Sequence, residues 1–412
     1  MGLGRRTLLG AAGAAALARP GRAQAGRDQD RAAVVRVGVL GDQSGAYKDL
    51  SGPVAVECVR QAVREMAAQG IAAEVISGDH LNKPDVGASL VRQWFDRDGV
   101  DMVTDIPNSA VALAVANVCR EKDKVFINSG AGTVDLTGKQ CSPNTVHWTY
   151  DTWMLAHSTG GAMVRQGGTK WFFITADYAF GEALQRDTAA FVTGAGGLVA
   201  GSVKHPPGTS DFSSFLLAAQ ASGADVIGLC NAGADTVNCI KQAAEFGLGR
   251  GGKTRLAALL IFISDVNALG LAAAQGLVLS TTYYWDLNAR TRAFADRVQP
   301  RIGAVRPGMD QAGCYAGTLH YLKAAAGLGA AEAKRSGRAV VERMKATPTD
   351  DDCFGPGTIR ADGRALHPCY LFQVKAPGES RGAWDYYALL DTVPADQAFR
   401  PAGEGGCALV RG

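Results

Sequence analysis

From residue 34 to about residue 280 the chain alternates short, continuously apolar runs with longer segments whose apolar residues recur at helical spacing. It does so in two successive series. The first has strand-like runs at 34–40, 73–77, 102–104 and 124–128, with helical patterns at 53–69, 84–97 and 108–120 between them. The second has runs at 170–175, 198–203, 225–229 and 256–261, with helical patterns at 182–193, from 210 and at 235–246. Strands separated by helix-length crossovers pair in parallel, and continuous rather than alternating apolarity fits strands covered on both faces. The pattern predicts an α/β fold with two doubly wound parallel sheets. A length of 412 residues also exceeds what one hydrophobic core usually covers.

Beyond 280 the pattern is less regular. A strand is expected at 277–284 and helices at 290–299, 309–328 and 331–344. A hairpin from 354 to 370 turns at Ala361-Asp-Gly-Arg364, and strands follow at 370–374 and 384–390. The Gly-rich tail from Pro401 is expected to be loosely ordered.

Residues 1–25 have the layout of an export signal: Arg5-Arg6, an apolar run at 7–18, and Ala23-Gln24-Ala25 as a small-residue cleavage site. The paired arginines before Thr-Leu-Leu favour twin-arginine export over the general secretory route. Four of the 42 Lys and Arg residues lie in that segment, so the mature chain carries 38 bases against 39 acids. That balance gives no footprint for nucleic acid. No other run is long and apolar enough to span a bilayer.

The nine cysteines would then reside where disulfides can form. Cys353 with Cys369, flanking the hairpin, and Cys119 with Cys141 are the expected pairs, and an odd count leaves at least one thiol over.

Motifs for chemistry are scarce. Gly247 to Gly252 matches G-x-G-x-x-G in letters, but it follows a helix and precedes a strand, the reverse of what phosphate binding needs. There is no P-loop and no nucleophile elbow. The six histidines have no metal-ligand spacing, and no cofactor is expected.

What recurs instead are aromatic and hydroxyl residues just after the strand runs, where ligands of open α/β sheets bind. They are Tyr47, Asn108, Ser109, Ser129, Gly130, Thr133, Trp148, Tyr150, Tyr178, Phe180, Asn231 and Tyr284, with Asp265 the nearest carboxylate after the last strand of the second series.

Val37-Gly-Val-Leu-Gly-Asp-Gln-Ser-Gly45, Asn128-Ser-Gly-Ala-Gly-Thr-Val-Asp-Leu-Thr137, Asp177-Tyr-Ala-Phe-Gly-Glu182 and Asp211-Phe-Ser-Ser214 resemble the type I periplasmic substrate-binding proteins of ABC transporters, in the leucine/isoleucine/valine-binding group. The resemblance covers nearly all of the mature chain. It implies two Rossmann-like lobes, 34–149 with 280–353 and 150–279 with 354–395, followed by a tail at 396–412. Three crossovers near Tyr150, Leu279 and Phe354 would join them, with the ligand in the cleft between.

It further implies a monomeric, non-enzymatic periplasmic receptor that hands a small carboxylate to a membrane permease. Asn108, Ser109 and the 129–133 loop would hold the carboxylate, and Phe180 falls on the ligand-facing aromatic position. The acid that meets the ammonium in amino-acid binders has no clear counterpart at Leu260-Ile-Phe-Ile263, and an unpaired buried ammonium is costly. The stretches 148–152 and 176–181 are similar to members that bind aromatic carboxylates, so an aromatic acid is the expected ligand. Branched-chain amino acids are the alternative; a sensor subunit and a cleft enzyme are the remaining ones.

Overall fold

The computed structural model describes residues 1–2, 34–249 and 253–410. The export-signal segment therefore lies outside the described residues, apart from Met1 and Gly2, as does the end of the Gly247–Gly252 stretch.

The first series builds β1 (Val35–Gly41), α1 (Gly52–Ala67), β2 (Ala73–Asp79), α2 (Pro84–Gln93), β3 (Met102–Asp105), α3 (Ser109–Lys122), β4 (Val125–Asn128) and β5 (Thr145–His147). The strands are all parallel, in the order β2-β1-β3-β4-β5. β5 was not expected from sequence, because three residues carry no measurable periodicity.

After α4 (Thr152–Leu155), a π turn and α5 (Gly161–Arg165), the second series gives β6 (Lys170–Ala176), α6 (Ala179–Gly194), β7 (Leu198–His205), α7 (Ser213–Ala221), β8 (Val226–Cys230), α8 (Ala234–Ala243) and β9 (Arg255–Ala258). Its order, β7-β6-β8-β9, repeats that of the first four strands of the other sheet and is also parallel. In both sheets the order reverses beside the opening strand, at β1/β3 and β6/β8. Open α/β sheets leave a crevice at such a point, outside the carboxyl ends of the strands.

The remainder comprises α9 (Ile263–Leu269), α10 (Leu271–Ala274), β10 (Val278–Thr281), α11 (Ala289–Ile302), α12 (Met309–Leu328), α13 (Ala330–Arg335), α14 (Gly337–Lys345) and the strands β11 (Thr349–Asp351), β12 (Gly355–Ile359), β13 (Ala365–Leu366), β14 (Cys369–Val374) and β15 (Tyr387–Val393). The helix expected at 331–344 is two, because Ser336 leaves helical geometry and its hydroxyl accepts the Ala339 amide as a cap. α12 spans the bounds expected and is buried along most of its length, packed on α1 against the first sheet. β10, β14 and β15 form an antiparallel sheet whose Leu279, Phe372 and Tyr387 share a core with Ile174 and Leu229 of the second parallel sheet. The hairpin β12–β13 forms as expected, with Thr358 opposite Leu366.

Two expectations fail at the cysteines and the tail. Cys141 pairs with Cys407, while Cys119, Cys353 and Cys369 are buried free thiols. Flanking a hairpin in sequence does not bring two side chains together: Cys353 packs in the core with Phe354, and Cys369 enters β14. Cys119 lies in the core between α3 and the first sheet, beside Val103 and Phe126. The tail is not loose, since the disulfide fixes Cys407 to the loop before β5, and Arg400 donates to the Val134 carbonyl.

Gly181, in the first turn of α6, has a close neighbour in the Ala176 carbonyl oxygen, and any Cβ there would fall inside van der Waals contact with it. The tight return from β6 into α6 therefore requires glycine. Gly181→Ala is expected to cost about 1–3 kcal/mol of stability, as overpacking does, read as a lower denaturant midpoint.

Candidate functional site

A small enclosed cavity lies where the carboxyl ends of the two parallel sheets face each other. Its wall is assembled from Tyr47 and Leu50 after β1, Pro107 after β3, Gly130 and Gly132 after β4, Tyr150 after β5, Tyr178 and Phe180 after β6, Ala232 after β8, and Leu260 and Phe262 after β9. Every one of these residues follows a parallel strand, as the ligand-binding rule for open α/β sheets requires. The Tyr47 hydroxyl meets that of Tyr178 at 2.6 Å, joining a first-sheet loop to a second-sheet loop. The Ala234 amide donates to the Ala46 carbonyl at 3.2 Å alongside. Tyr150 donates its hydroxyl to the Gly130 carbonyl, and its ring stands edge-on to Phe262 at 5.7 Å. Gly132 has no side chain because the rings of Phe180 and Tyr150 occupy that space.

The cavity holds about 10 Å³, room for about one water. Small-molecule pockets run to about 300–1,000 Å³, so a ligand needs these walls to part. A larger cavity of about 590 Å³ lies beside β9, α8 and β10, at the opposite side of the second sheet from its strand ends. It lies away from where the two sheets meet.

Of the thirteen candidates named from sequence, Tyr47, Gly130, Tyr150, Tyr178 and Phe180 line the cavity. The others lie behind it or elsewhere. The Asn108 side chain caps α3 by accepting the Ala110 and Val111 amides. The Ser109 hydroxyl accepts the Thr133 amide at 3.2 Å, and the Thr133 hydroxyl accepts that of Asp135 at 3.4 Å. Ser129 is buried, its amide donating to the Asp105 carbonyl as does that of Gly130. Trp148 packs under α12 with its ring 5.8 Å from His320.

Beside the second sheet, Asn231 is engaged with His205 and accepts the Thr236 hydroxyl. Asp265 accepts the Phe262 amide at 2.8 Å, capping α9. Tyr284 belongs to the second core, donating to the Trp384 carbonyl. Leu50, Pro107, Gly132, Ala232, Leu260 and Phe262 are wall residues that the sequence reading did not single out. Leu260 and Phe262 follow β9 directly, so their position after a parallel strand is the sequence signal that marks them.

No acidic or basic side chain lines the cavity. Burial pushes the phenols of Tyr47, Tyr150 and Tyr178 above their ordinary value, so they stay protonated and act as neutral hydrogen-bond donors and acceptors. Burial also raises the Asp265 carboxyl to about 7. Asp105 and Ile106, which lead from β3 into the wall at Pro107, take positive φ of 81° and 60°. Backbone held in this sparsely populated region clusters at binding sites. Among the described residues no helix is long and apolar enough to cross a membrane.

Comparison with known proteins agrees with this arrangement. A family model described as periplasmic binding protein matches residues 34–382. A periplasmic binding protein from Burkholderia mallei is 45% identical with a TM-score of 0.87, over 92% of this chain and 100% of its own. A branched chain amino acid ABC transporter periplasmic ligand-binding protein from Burkholderia xenovorans is 35% identical with a TM-score of 0.79, over 91% of this chain and 99% of its own. A solute binding protein of an ABC transporter from R. palustris, solved in complex with benzoate, shares the fold at 20% identity and a TM-score of 0.79, over 91% of this chain and 99% of its own. The chain belongs to the periplasmic binding protein family, among the ABC-transporter solute-binding proteins of the branched-chain amino-acid group, which bind small molecules and are not enzymes.

Proposed function

We propose that this protein is an exported, monomeric receptor that binds a small carboxylate, of the aromatic-acid class, between two lobes and presents it to a membrane permease. The lobes are 34–149 with 280–353 and 150–279 with 354–395, with residues 396–412 as the tail. The observation that carries the reading is a cavity between the two sets of strand ends, walled by Tyr47, Tyr150, Tyr178, Phe180 and Phe262, with no acidic side chain on it. An aromatic ring suits that wall. An α-amino acid would bring an ammonium group whose nearest acid, Asp265, is engaged in capping α9. The carboxylate would be received by the 129–133 loop together with the tyrosine hydroxyls, once the lobes part and the loop exchanges its internal hydrogen bonds for the ligand. Asn231 or Asp265 would reach a distal polar group in the same movement. Ligand that prefers the closed form shifts the open-closed equilibrium and so signals occupancy to the permease.

A branched-chain amino acid is the second reading, favoured by the 35%-identical branched chain amino acid ABC transporter ligand-binding protein from Burkholderia xenovorans. A thermal-shift panel of benzoates, cinnamates, leucine, valine and short aliphatic acids separates the two. A ligand at a hundred times its Kd adds about 2.7 kcal/mol of stability. Stabilisation by aromatic acids is expected; stabilisation by leucine or valine alone would replace the aromatic assignment. With a ligand in hand, Phe180→Ala is expected to weaken binding about tenfold or more as measured by calorimetry.

A further inference from the structure

Beneath the cavity, three buried groups from distant parts of the chain meet: Asp105 at the end of β3, and Asp310 and Cys314 on α12, each placing a ligand-type atom within 4.8 Å of the others. The two carboxyls thus share one buried pocket at close range. Two ionised carboxylates so placed repel, whereas a proton on one gives it a donor for the other. Asp105 Oδ1 and Asp310 Oδ2 have no hydrogen-bond partner and are closed off from solvent. The Ser51 hydroxyl donates to Asp105 Oδ2 at 2.6 Å, and the Cys314 thiol lies 3.8 Å from Asp310 Oδ1. A further polar group points into the cluster: the Ser129 hydroxyl, 0% exposed and without a hydrogen-bond partner, faces Cys314.

The titratable groups facing the pair are Asp42 from the loop after β1, Cys58 from α1, Cys314 from α12 and Tyr150 from the junction after β5. None of these carries positive charge, so nothing here compensates two ionised carboxylates.

We propose that Asp105 and Asp310 hold a shared proton, and that this carboxylic acid to carboxylate hydrogen bond is a proton-dependent clamp fixing α12 to three of the cavity loops. The loops are those of Tyr47 and Ser51, of Asp105 to Pro107, and of Ser129 and Gly130. Asp105 reaches each of them, through the Ser51 hydroxyl, through its own chain and through its carbonyl, which accepts the Ser129 and Gly130 amides. On the α12 side Gln311, next to Asp310, donates to the Ser51 carbonyl at 3.3 Å. Loss of the proton to solvent leaves two carboxylates in contact and loosens both sides at once.

Burial raises both carboxyls, and the adjacent Asp105 charge raises Asp310 further, so the shared proton resides on Asp310. A folded-state value above the unfolded one means that the stabilisation is complete below the unfolded carboxylate range and is lost as pH rises through the raised Asp310 value.

The test is the melting temperature of the full chain between pH 5 and 9 for wild type, Asp310→Asn and the double variant Asp105→Asn/Asp310→Asn. The amides preserve shape and supply a donor that does not titrate. Wild type should lose about 2–4 °C more than the double variant over the alkaline half of the range. Asp310→Asn keeps one titrating carboxyl and should fall between them; it serves alone should the double variant not fold. Equal pH slopes in wild type and variants would overturn the shared proton. A melting temperature lowered by EDTA at pH 7 and restored by Zn²⁺ would overturn it too, assigning the three groups to a cation.

Discussion

Arg364→Ala is expected to lower the unfolding free energy by about 3–5 kcal/mol, the cost of leaving one charge of a buried pair uncompensated. Arg364 is 0% exposed, and its guanidinium pairs with Asp151 at 3.2 Å. It also donates to the Thr149 carbonyl, and to that of Ala365 at 3.1 Å. The ring of Phe399 covers it at 4.3 Å. These contacts tie the segment after β5 to the β12–β13 hairpin and the start of the tail. Burial pulls the Arg364 guanidinium down to about 10 and pushes the Asp151 carboxyl up. With only the arginine truncated, the Asp151 charge stays buried.

Asp151 also caps α4 by accepting the Met154 amide at 2.9 Å. The compensated variant is therefore Asp151→Asn with Arg364→Met, which keeps an acceptor at the cap and fills the guanidinium's volume. Denaturant midpoints should show the double variant recovering most of the loss. A double variant no more stable than Arg364→Ala would show that the unpaired charge is not what destabilises the single one.

Removing the Cys141–Cys407 bridge as Cys141→Ser/Cys407→Ser should cost about 2–5 kcal/mol. The bridge closes a loop across a sequence separation of 266 residues, and longer loops release more unfolded-state entropy when opened. It also holds the tail in place, including Phe399 over Arg364 and the Arg400 carbonyl that accepts from Arg360 at 2.8 Å. Thiol counting checks the pairing directly. The native protein should react with no thiol reagent, because the seven free cysteines are buried. The denatured, unreduced protein should show those seven. Five would mean a second bridge exists.

The architecture was legible in the sequence because it follows from periodicity, and so were the strand ends where the proposed site lies. Apolar runs of strand length alternating with helices can pair only as parallel sheets, and parallel sheets put their loops at defined ends. Tyr47, Tyr178 and Phe180 could be named as wall residues on that basis alone. Periodicity says which face of a strand is buried but not where a loop side chain turns. Asn108, Ser109 and Thr133 sit in the right loops and spend their polar groups holding those loops in shape. Asn231 and Asp265 do the same beside the second sheet.

Contacts across the chain are the other part that only the tertiary structure decided. Cys141 meets Cys407, Arg364 meets Asp151 and Asp105 meets Asp310 because segments distant in sequence return to one another in space. Hairpin logic favoured Cys353 with Cys369 because neighbours in sequence are the only ones that a local pattern can pair. A buried charge or thiol finds its partner through the packing of whole elements, and no local spacing records that distance. The sequence alone thus determined two parallel sheets and the loops at their carboxyl ends; the assembled fold decided which side chains meet there, because burial, not spacing, selects them.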